Sequence, residues 1–569
     1  MSDLSLLFTL NERVEHIFPT LKPAHLARVE ARGRRREVQA GEVLVEPGDS
    51  NIPFLVVTKG AMEILRPTCE SEEVVVVHEA GQFFGEVGIL ASQRSLVRAR
   101  MRDAGEVIEV DRSGLQELIE SDGELSEILM RAFILRRLEF IAHGWGNILL
   151  LGTRNSSGTL RIKEFLTRNG YPHSYFDIES EPDMPELLEH FHVTASDIPV
   201  LICRGKEVLK NPTNQQVADC LGFNEGIDVA KVRDVIVVGG GPSGLAAAVY
   251  AASEGLDVLV LEGYAPGGQA GSSSKIENYL GFPTGISGQE LANRAYTQAQ
   301  KFGARVMIAR DARRLECGRH PYIVETDGGT RLAARAVIIA SGAEYRKLAL
   351  ENLSHFEGNG VYYGATFIEA QLCGDEEVIV VGGGNSAGQA AVFLSQTAKH
   401  VHMVVRSGRL AETMSRYLIR RIEQSQTITL HTDTEIVGLE GEERLEGVRW
   451  RNNRTGALEN HVIHRVFLMM GANPKTRWLE GCLALDEKGF VKTGMDLEPA
   501  ELTGARWPLA RRPYLLEANL PGVFAVGDVR AGNVKRVASA VGEGSIAISM
   551  VHKVLQEWKE NLAAGASGN

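Results

Sequence analysis

The stretch VRDVIVVGGGPSGLAAAVYAASEGLDVLVLEGYAPGGQ, residues 232–269, decides the fold of the largest part of this chain. Apolar residues predict a buried strand at 235–238, and small residues predict a helix at 245–253. A second apolar strand is predicted at 258–261 and ends on Glu262. Strand, helix and strand in this order predict a parallel βαβ unit.

The loop GGGPSG, residues 239–244, joins the first strand to the helix. Its first glycine permits a tight turn, its second lets the backbone approach a pyrophosphate, and its third lets helix and strand pack closely. The pyrophosphate then lies at the helix N-terminus, where N–H groups and the helix dipole favour anions. Glu262, 23 residues after Gly239, is placed to accept hydrogen bonds from an adenosine ribose. The predicted dinucleotide ligands are Gly239, Gly241, Pro242, Ser243, Gly244 and Glu262.

Length and composition limit the number of domains, the classes of partner and the cellular compartment. At about 150 residues per domain, 569 residues predict three to four domains. The net charge of −12 argues against nucleic acid or an anionic membrane as partner. The N-terminal sequence lacks a signal peptide pattern, and no apolar run is long enough for a membrane span. The six cysteines are scattered, so we expect a reduced cytoplasmic protein with neither a disulfide framework nor a metal site.

Residues 1–143 contain short, closely spaced predicted strands with glycine turns, which indicate a sandwich or barrel. Within them, GQFFGEVGILASQRSLVRAR, residues 81–100, resembles the phosphate-binding cassette of cyclic-nucleotide-binding domains of the catabolite activator type. The resemblance implies a β jelly roll with exit helices, in which a glutamate meets the ribose 2′-hydroxyl and an arginine pairs with the cyclic phosphate. The corresponding residues are Gly85, Glu86, Arg94 and Ser95.

The loop between Glu86 and Arg94 is shorter than in the bacterial activators. Two interpretations therefore stay open for this domain. It binds cAMP or cGMP as an effector, or it is a jelly roll that has lost its nucleotide and serves as a docking surface.

Residues 144–225 show predicted strands and helices in the order of the thioredoxin and glutaredoxin fold. The sequence Ile198-Pro199-Val200 lies where that fold has a cis-proline, so a cis bond is predicted before Pro199. The position of the redox CxxC reads NSSG, residues 155–158. We therefore expect a cysteine-free structural or docking module that performs no thiol exchange.

From residue 232 to about 558, the chain resembles the low-molecular-weight thioredoxin reductases. The resemblance rests on GGQ at 267–269, IENYLGFP at 276–283 and PGVFAVGD at 521–528. It implies an FAD domain in two segments, 230–345 and 470–560, and a homodimer formed through that domain. The further FAD residues it implies are Gly268, Gln269, Asn278, Gly342, Gly527 and Asp528.

A second Rossmann-like unit lies between these segments, at 346–469, where a predicted strand leads into GGGNSA, residues 382–387. The position 23 residues after Gly382 is Val405, and Arg406 follows it. Loss of the acidic residue and gain of arginine favour the 2′-phosphate of NADPH over NADH. The predicted NADPH residues are Gly382, Gly384, Asn385, Ser386, Ala387, Arg406 and Arg409.

Thioredoxin reductases carry Cys-Ala-Thr-Cys before this second glycine loop. The corresponding residues here are Gly364-Ala365-Thr366-Phe367, so both cysteines are replaced. Cys373 stands alone nearby and cannot form the disulfide that accepts two electrons from the flavin. We expect no catalytic side chain in the hydride transfer, because positioning by the protein and the flavin itself supply the chemistry.

The sequence thus predicts a multidomain protein with a jelly roll, a thioredoxin-like α/β unit and two three-layer α/β domains for FAD and NADPH. The leading hypothesis is an NADPH-dependent flavoprotein reductase with a non-dithiol acceptor, regulated through its N-terminal domain. Two alternatives remain. One is electron transfer to ferredoxin or flavodoxin, and the other is a non-catalytic redox sensor that binds FAD and NADPH.

Overall fold

We describe the fold from a computed structural model of the chain. The residues it describes are 10–67, 72–90, 93–142, 148–153, 156–179, 193–194, 197–203, 207–273, 275–365, 367–410, 414–442 and 444–566. Among the helices of these residues, none has both the length and the apolar character needed to cross a bilayer.

The N-terminal unit consists of two four-stranded antiparallel sheets, with strand orders β1-β8-β3-β6 and β2-β7-β4-β5. Alternating apolar residues of both sheets enclose a common core. Two helices precede the strands and two follow them. The elements are α1 Leu10–Ile17, α2 Pro23–Glu30, β1 Arg34–Val38, β2 Val43–Val45, β3 Phe54–Lys59, β4 Met62–Pro67, β5 Glu72–His78, β6 Phe83–Phe84, β7 Arg98–Met101, β8 Gly105–Val110, α3 Arg112–Ser121 and α4 Gly123–Ala142.

The second unit has one four-stranded sheet of order β10-β9-β11-β12, in which only β9 and β10 are parallel. The predicted cis bond between Ile198 and Pro199 is confirmed. A helix predicted at 184–191 lies outside the described residues. The elements are β9 Ile148–Gly152, α5 Ser157–Arg168, β10 Ser174–Asp177, β11 Val200–Cys203, β12 Glu207–Lys210 and α6 Asn214–Leu221.

The cysteines correct two expectations. The second unit is not cysteine-free, since Cys203 at the end of β11 forms a disulfide with Cys220 on α6. A second disulfide joins Cys317 to Cys482, which lie 165 residues apart in sequence. The expectation of a chain without disulfides was wrong because wide spacing in sequence does not prevent the fold from bringing two cysteines together. Cys373 is free and buried.

The first dinucleotide unit is built on a seven-stranded sheet. Its parallel part has the order β15-β14-β13-β18, and β29 returns from far along the chain to pair in parallel with β18. The elements are β13 Arg233–Val238, α7 Pro242–Ser253, β14 Val258–Glu262, α8 Gly268–Gly271, α9 Gly288–Lys301, β15 Arg305–Ile308, β16 Ala312–Glu316, β17 Tyr322–Thr326, β18 Arg331–Ile339, β29 Val523–Ala525 and α15 Val537–Ala566.

The second dinucleotide unit has a five-stranded parallel sheet of order β20-β27-β21-β22-β23, beside an antiparallel sheet of β24, β25 and β26. The short strands β19 and β28 pair where the chain passes between the two units. The elements are β19 Ala343–Tyr345, α10 Leu353–Phe356, β20 Val361–Tyr362, α11 Phe367–Leu372, β21 Glu377–Val381, α12 Asn385–Leu394, β22 His400–Val404, α13 Arg416–Gln424, β23 Ile428–His431, β24 Thr434–Glu440, β25 Gly447–Asn452, β26 Leu458–His461, β27 Val466–Leu468, β28 Ala472–Pro474 and α14 Pro499–Gly504.

Candidate functional site

The first glycine loop brings α7 against β13 with no room for side chains. Gly239 has φ +107°, and a side-chain carbon there would collide with the carbonyl of Ala340. A side-chain carbon at Gly244 would collide with the carbonyl of Gly239. At Gly241 such a carbon would stand 3.8 Å from the Cα of Gly268. The glycines therefore leave a cradle at the N-terminus of α7 that fits a pyrophosphate.

Glu262 ends β14 beside this loop. One carboxylate oxygen accepts a hydrogen bond from the backbone N–H of Gly240 at 2.7 Å, and the other accepts from Tyr264 at 2.9 Å and Ala265 at 3.2 Å. Its side chain is held in one orientation by these three donors. Burial, which leaves the residue 9% exposed, raises the pKa of the carboxyl above its ordinary value.

A cavity of about 680 Å³ opens at the N-terminus of α7. Residues of both dinucleotide units line it. Gln269 and Asp528 belong to the first unit, and Gly364 belongs to the second. The predicted site residues that line it are Gly239, Gly241, Pro242, Ser243, Glu262, Gly268, Gln269, Asn278, Gly342, Asp528, Asn385 and Ser386. The glycine cradle, the helix N-terminus and the held carboxylate together fit a dinucleotide such as FAD.

Other predicted residues shape the site without lining this cavity. Gly244 lies in the first turn of α7, against the carbonyl of Gly239, and the N–H of Gly527 donates to Glu543 at 2.7 Å. Glu543 also accepts from Arg530 at 2.6 Å, so these two residues fix the turn that carries Asp528. Burial raises the pKa of the Asp528 carboxyl.

Aromatic residues stand at the mouth shared by the two units. The rings of Tyr345 and Tyr363 stack with centroids 5.9 Å apart and planes 16° apart, and both residues line the cavity. Tyr362 instead packs in the core against Phe467, with ring centroids 5.4 Å apart. The backbone of Phe367 begins α11, while its side chain lies outside the described residues.

The second glycine loop has the same plan with looser packing. Gly382 has φ +141°, and a side-chain carbon there would collide with the carbonyl of Met469, whereas one at Gly384 would meet nothing within 4 Å. Ala387 is buried where the first loop has its third glycine. After β22 the side chains of Arg406 and Arg409 are exposed. Both arginines follow the end of β22, and neither lines the cavity between the units.

Two features of the cavity were not predicted from the sequence. Arg168, at the end of α5 in the second unit, reaches into it and donates to the carbonyl of Gly268 at 2.7 Å. Lys475 contacts both carboxylate oxygens of Asp311 at 2.8 Å. No sequence pattern marked Arg168, because it comes from a unit outside the dinucleotide fold.

The predicted cyclic-nucleotide residues are drawn into other contacts. Arg94 forms a two-pronged ion pair with Glu225, in which its Nε donates at 2.9 Å. The hydroxyl of Ser95 donates to the carbonyl of Val97 at 2.8 Å. Glu86 follows Gly85, and its carboxylate lies 3.6 Å from the Arg137 guanidinium. Arg94 does not line the cavity of about 360 Å³ in this unit, whereas Gly85, Glu86 and Ser95 do.

Comparison with known proteins assigns two parts of the chain. Residues 233–544 match the family model described as pyridine nucleotide-disulphide oxidoreductase. Residues 35–122 match the model described as cyclic nucleotide-binding domain.

Curated relatives and solved structures agree with the first assignment. The thioredoxin reductase of Streptomyces coelicolor is 33% identical over 317 residues, which are 56% of this chain and 92% of the relative. That of Bacillus subtilis is 32% identical over 332 residues, 58% of this chain and 98% of the relative. The crystal structure of Lactococcus lactis thioredoxin reductase in its FR conformation superposes with a TM-score of 0.51 at 26% identity, over 57% of this chain and 99% of that one.

Proposed function

The chain belongs to the pyridine nucleotide-disulphide oxidoreductase family, and from that premise we propose that it passes electrons from NADPH through FAD to an acceptor other than a dithiol of its own. Its flavoprotein part is of the thioredoxin-reductase type, a family that uses FAD and NADPH. The finer part of the proposal concerns the acceptor and the role of the first 225 residues.

The observation that carries the proposal is the cavity lined by both dinucleotide units. Gln269 lies on the FAD side, where its side-chain amide donates to the carbonyl of Ala343 at 2.5 Å. Asn385 and Ser386, at the start of α12, line the same cavity from the NADPH side. Transfer of a hydride needs donor and acceptor at near-contact distance. A shared cavity supports direct transfer, for which bound FAD supplies the hydride acceptor.

The side chains of the protein bind FAD and NADPH and position them for hydride transfer. The Glu262 carboxylate is held by three backbone donors. In this orientation it can accept hydrogen bonds from the hydroxyl groups of the FAD ribose. Arg406 and Arg409 supply the positive charge for the 2′-phosphate of NADPH. Tyr363 lies on the cavity wall beside Gly364 and Ala365, where it gives a second acceptor an aromatic surface.

The cysteines of the chain indicate that the electron acceptor is not an internal dithiol. The sequence contains no CxxC, and burial raises the pKa of the Cys373 thiol to about 12, so this thiol stays protonated at neutral pH. Cys203 pairs in register with Ile148 at the beginning of β9, whereas α5 begins beyond the end of that strand. The Cys203–Cys220 disulfide therefore lies at the opposite end of the sheet from the position of a thioredoxin dithiol. An external disulfide, a quinone, oxygen or an electron-transfer protein such as ferredoxin or flavodoxin remains as acceptor.

An anaerobic titration of the FAD-loaded protein with NADPH, followed by flavin absorbance, tests this proposal. We expect full bleaching at one NADPH per FAD, because no dithiol near the flavin takes a further electron pair. Uptake of a second equivalent in the wild type but not in a Cys203→Ser/Cys317→Ser variant would contradict the non-dithiol proposal. The rates at which candidate acceptors restore the colour then rank them.

A second candidate function is a sensor that binds FAD and NADPH without turnover. It is favoured by two contacts between units: the Arg94–Glu225 pair joins the first unit to the second, and Arg168 joins the second unit to the FAD unit. Absence of bleaching with NADPH binding still measurable by calorimetry would select the sensor. In either case we propose that residues 144–225 are a thioredoxin-like coupling module and that the N-terminal unit is regulatory. Regulation by cAMP or cGMP requires a ligand that displaces Glu225 from Arg94.

A further inference from the structure

The N-terminal unit contains a cavity of about 360 Å³, which lies within the size range of small-molecule sites. Its described wall is formed mainly by apolar side chains from the strands, from the loops that connect them and from the first and last helices of the unit. Among them are Ile52, Ile64, Phe84, Ile89, Leu96 and Val97. Such a wall favours a ligand whose body is hydrocarbon.

One cation faces this apolar space. Arg136 on α4 is 6% exposed and lines the cavity. Its Nε donates to the carbonyl of Ile17 at 2.9 Å, and its Nη1 donates to the carbonyls of Phe83 and Gly85 at 3.0 and 2.8 Å. Its Nη2 is buried and has no hydrogen-bond partner among the described residues. Burial lowers the pKa of Arg136 to about 9, so the side chain still carries its charge at pH 7.

The surroundings compensate that charge only in part. The guanidinium lies 4.5 Å from the ring centre of Phe83 and 5.3 Å from that of Phe18, contacts that are weaker than pairing with an anion. Glu86 and Glu139 also line the cavity, and the Glu86 carboxylate, which raises the pKa of Arg136, lies 3.6 Å from the Arg137 guanidinium. A buried cation with an unmade hydrogen bond is costly. An anionic group in the cavity would remove that cost.

A second polar group faces the same space. His78 is 2% exposed, and its Nδ1 has no hydrogen-bond partner within the described part of the chain. Burial and the neighbouring Arg136 hold the pKa of His78 well below its ordinary value, so its imidazole is neutral. It offers one further hydrogen bond to a ligand bound by Arg136.

A cyclic nucleotide fits these features poorly in the arrangement described. The arginine of the phosphate cassette, Arg94, is paired with Glu225 and does not line the cavity. The hydroxyl of Ser95 already donates to Val97. The sugar and base would bring several polar groups against an apolar wall, and each group left without a hydrogen bond weakens binding.

We propose that this cavity binds an apolar monocarboxylic acid, with the carboxylate on Nη2 of Arg136 and the hydrocarbon part among the apolar side chains of the wall. The proposal names a ligand class for the N-terminal unit and does not depend on the reductase reaction. Binding is measured directly, so its outcome is separate from that of the flavin titration.

The test is calorimetry on the full-length, FAD-loaded protein at pH 7 with octanoate, 3-phenylpropionate and octanamide as probes. We expect one site per chain for at least one of the two carboxylates. The neutral amide should bind about 10–100-fold more weakly than octanoate, the effect of losing a charge-assisted hydrogen bond. Arg136→Gln should weaken octanoate by a similar factor. Arg131→Gln, an exposed position on the same helix, is the matched control and should bind as the wild type does.

Ile64→Phe covers the case in which Arg136→Gln fails to fold. It fills the cavity and leaves the arginine in place, and we expect it to lose octanoate binding while retaining its FAD. The proposal is overturned if neither carboxylate binds, if octanamide binds as tightly as octanoate, or if Ile64→Phe binds octanoate unchanged. Binding of cAMP that depends on Arg94 and displaces octanoate would also overturn it, since the site would then be one for nucleotides.

Discussion

The two glycine loops of this chain follow one plan but hold their helices differently. In the first loop, GGGPSG, helix α7 lies so close to β13 that a methyl group at Gly244 would collide with the carbonyl of Gly239. In the second loop, GGGNSA, the corresponding residue is Ala387, and its methyl group is accommodated. The first loop continues to a buried carboxylate at Glu262, whereas the second continues to exposed arginines at 406 and 409.

The difference separates a cofactor that stays from one that leaves. A dinucleotide against the first loop meets a deep cradle and a carboxylate oriented before it arrives, so little ordering is required on binding. A dinucleotide at the second loop meets exposed cations, which attract it and give specificity but do not enclose it. In the reaction proposed above, NADPH would be exchanged at every turnover and FAD would be retained.

The largest effect on FAD binding is expected when Gly244 of the first loop is replaced by alanine, the residue found at the corresponding position of the second loop. Gly244→Ala should yield protein with FAD affinity reduced at least about tenfold, since overpacking costs about 1–3 kcal/mol. The reverse change, Ala387→Gly, should retain FAD and cost about 1 kcal/mol of helix stability. Flavin content after purification and thermal unfolding measure both. Equal FAD content in the two variants would remove the proposed difference between the loops.

A smaller effect is expected from the arginines of the second loop. Arg406→Ala should reduce the ratio of NADPH to NADH efficiency about 10–100-fold, because a charge-assisted hydrogen bond to the 2′-phosphate is lost. Steady-state kinetics with both nucleotides give the ratio, and FAD content serves as the control, since it should not change. An unchanged ratio would mean that the 2′-phosphate is bound elsewhere.

The smallest effect concerns the carboxylate of the first loop. In its ionised form Glu262 can accept hydrogen bonds from the ribose hydroxyl groups. FAD affinity should therefore be highest above the pKa of Glu262 and should decrease as the pH falls through that pKa. Burial raises that pKa above its ordinary 4.5, so the decrease should begin at a higher pH than it would for an exposed glutamate. Glu262→Gln should bind FAD several-fold more weakly at pH 7, and its affinity should change little with pH.

Fluorescence titration of FAD into the apoprotein from pH 8 to pH 5 measures this dependence. The NADPH affinity of Glu262→Gln should equal that of the wild type, which would show that the second dinucleotide unit is intact. A variant that keeps the wild-type pH profile would assign the titration to a group other than Glu262.

The parts of this molecule that the sequence predicted are those in which neighbouring residues determine structure. The strands and helices around Gly239 and Gly382 were found because apolar runs and glycine spacing act over short distances, and the cis bond at Pro199 was found by its place in a recognisable order. Four of the five predicted residues of the first loop line one cavity for the same reason, namely Gly239, Gly241, Pro242 and Ser243.

Contacts made between units had no such local signal. Arg168 enters the first cavity from helix α5, about 100 residues before its partner Gly268. The cysteine pair 317 and 482 is joined only by the return of the chain to the first sheet. Arg136 looked like one more charged residue of an exit helix, and only the packing of α4 against the strands turned it toward the cavity.

The ion pair between Arg94 and Glu225 spans 131 residues and works in both directions. A ligand that takes Arg94 from Glu225 must spend part of its binding energy on that separation. Thermodynamic reciprocity then requires that whatever strengthens the pair weakens the binding of such a ligand by the same factor. Because Arg94 belongs to the first unit and Glu225 to the second, this contact couples ligand binding in the N-terminal unit to the position of its neighbour, in both directions.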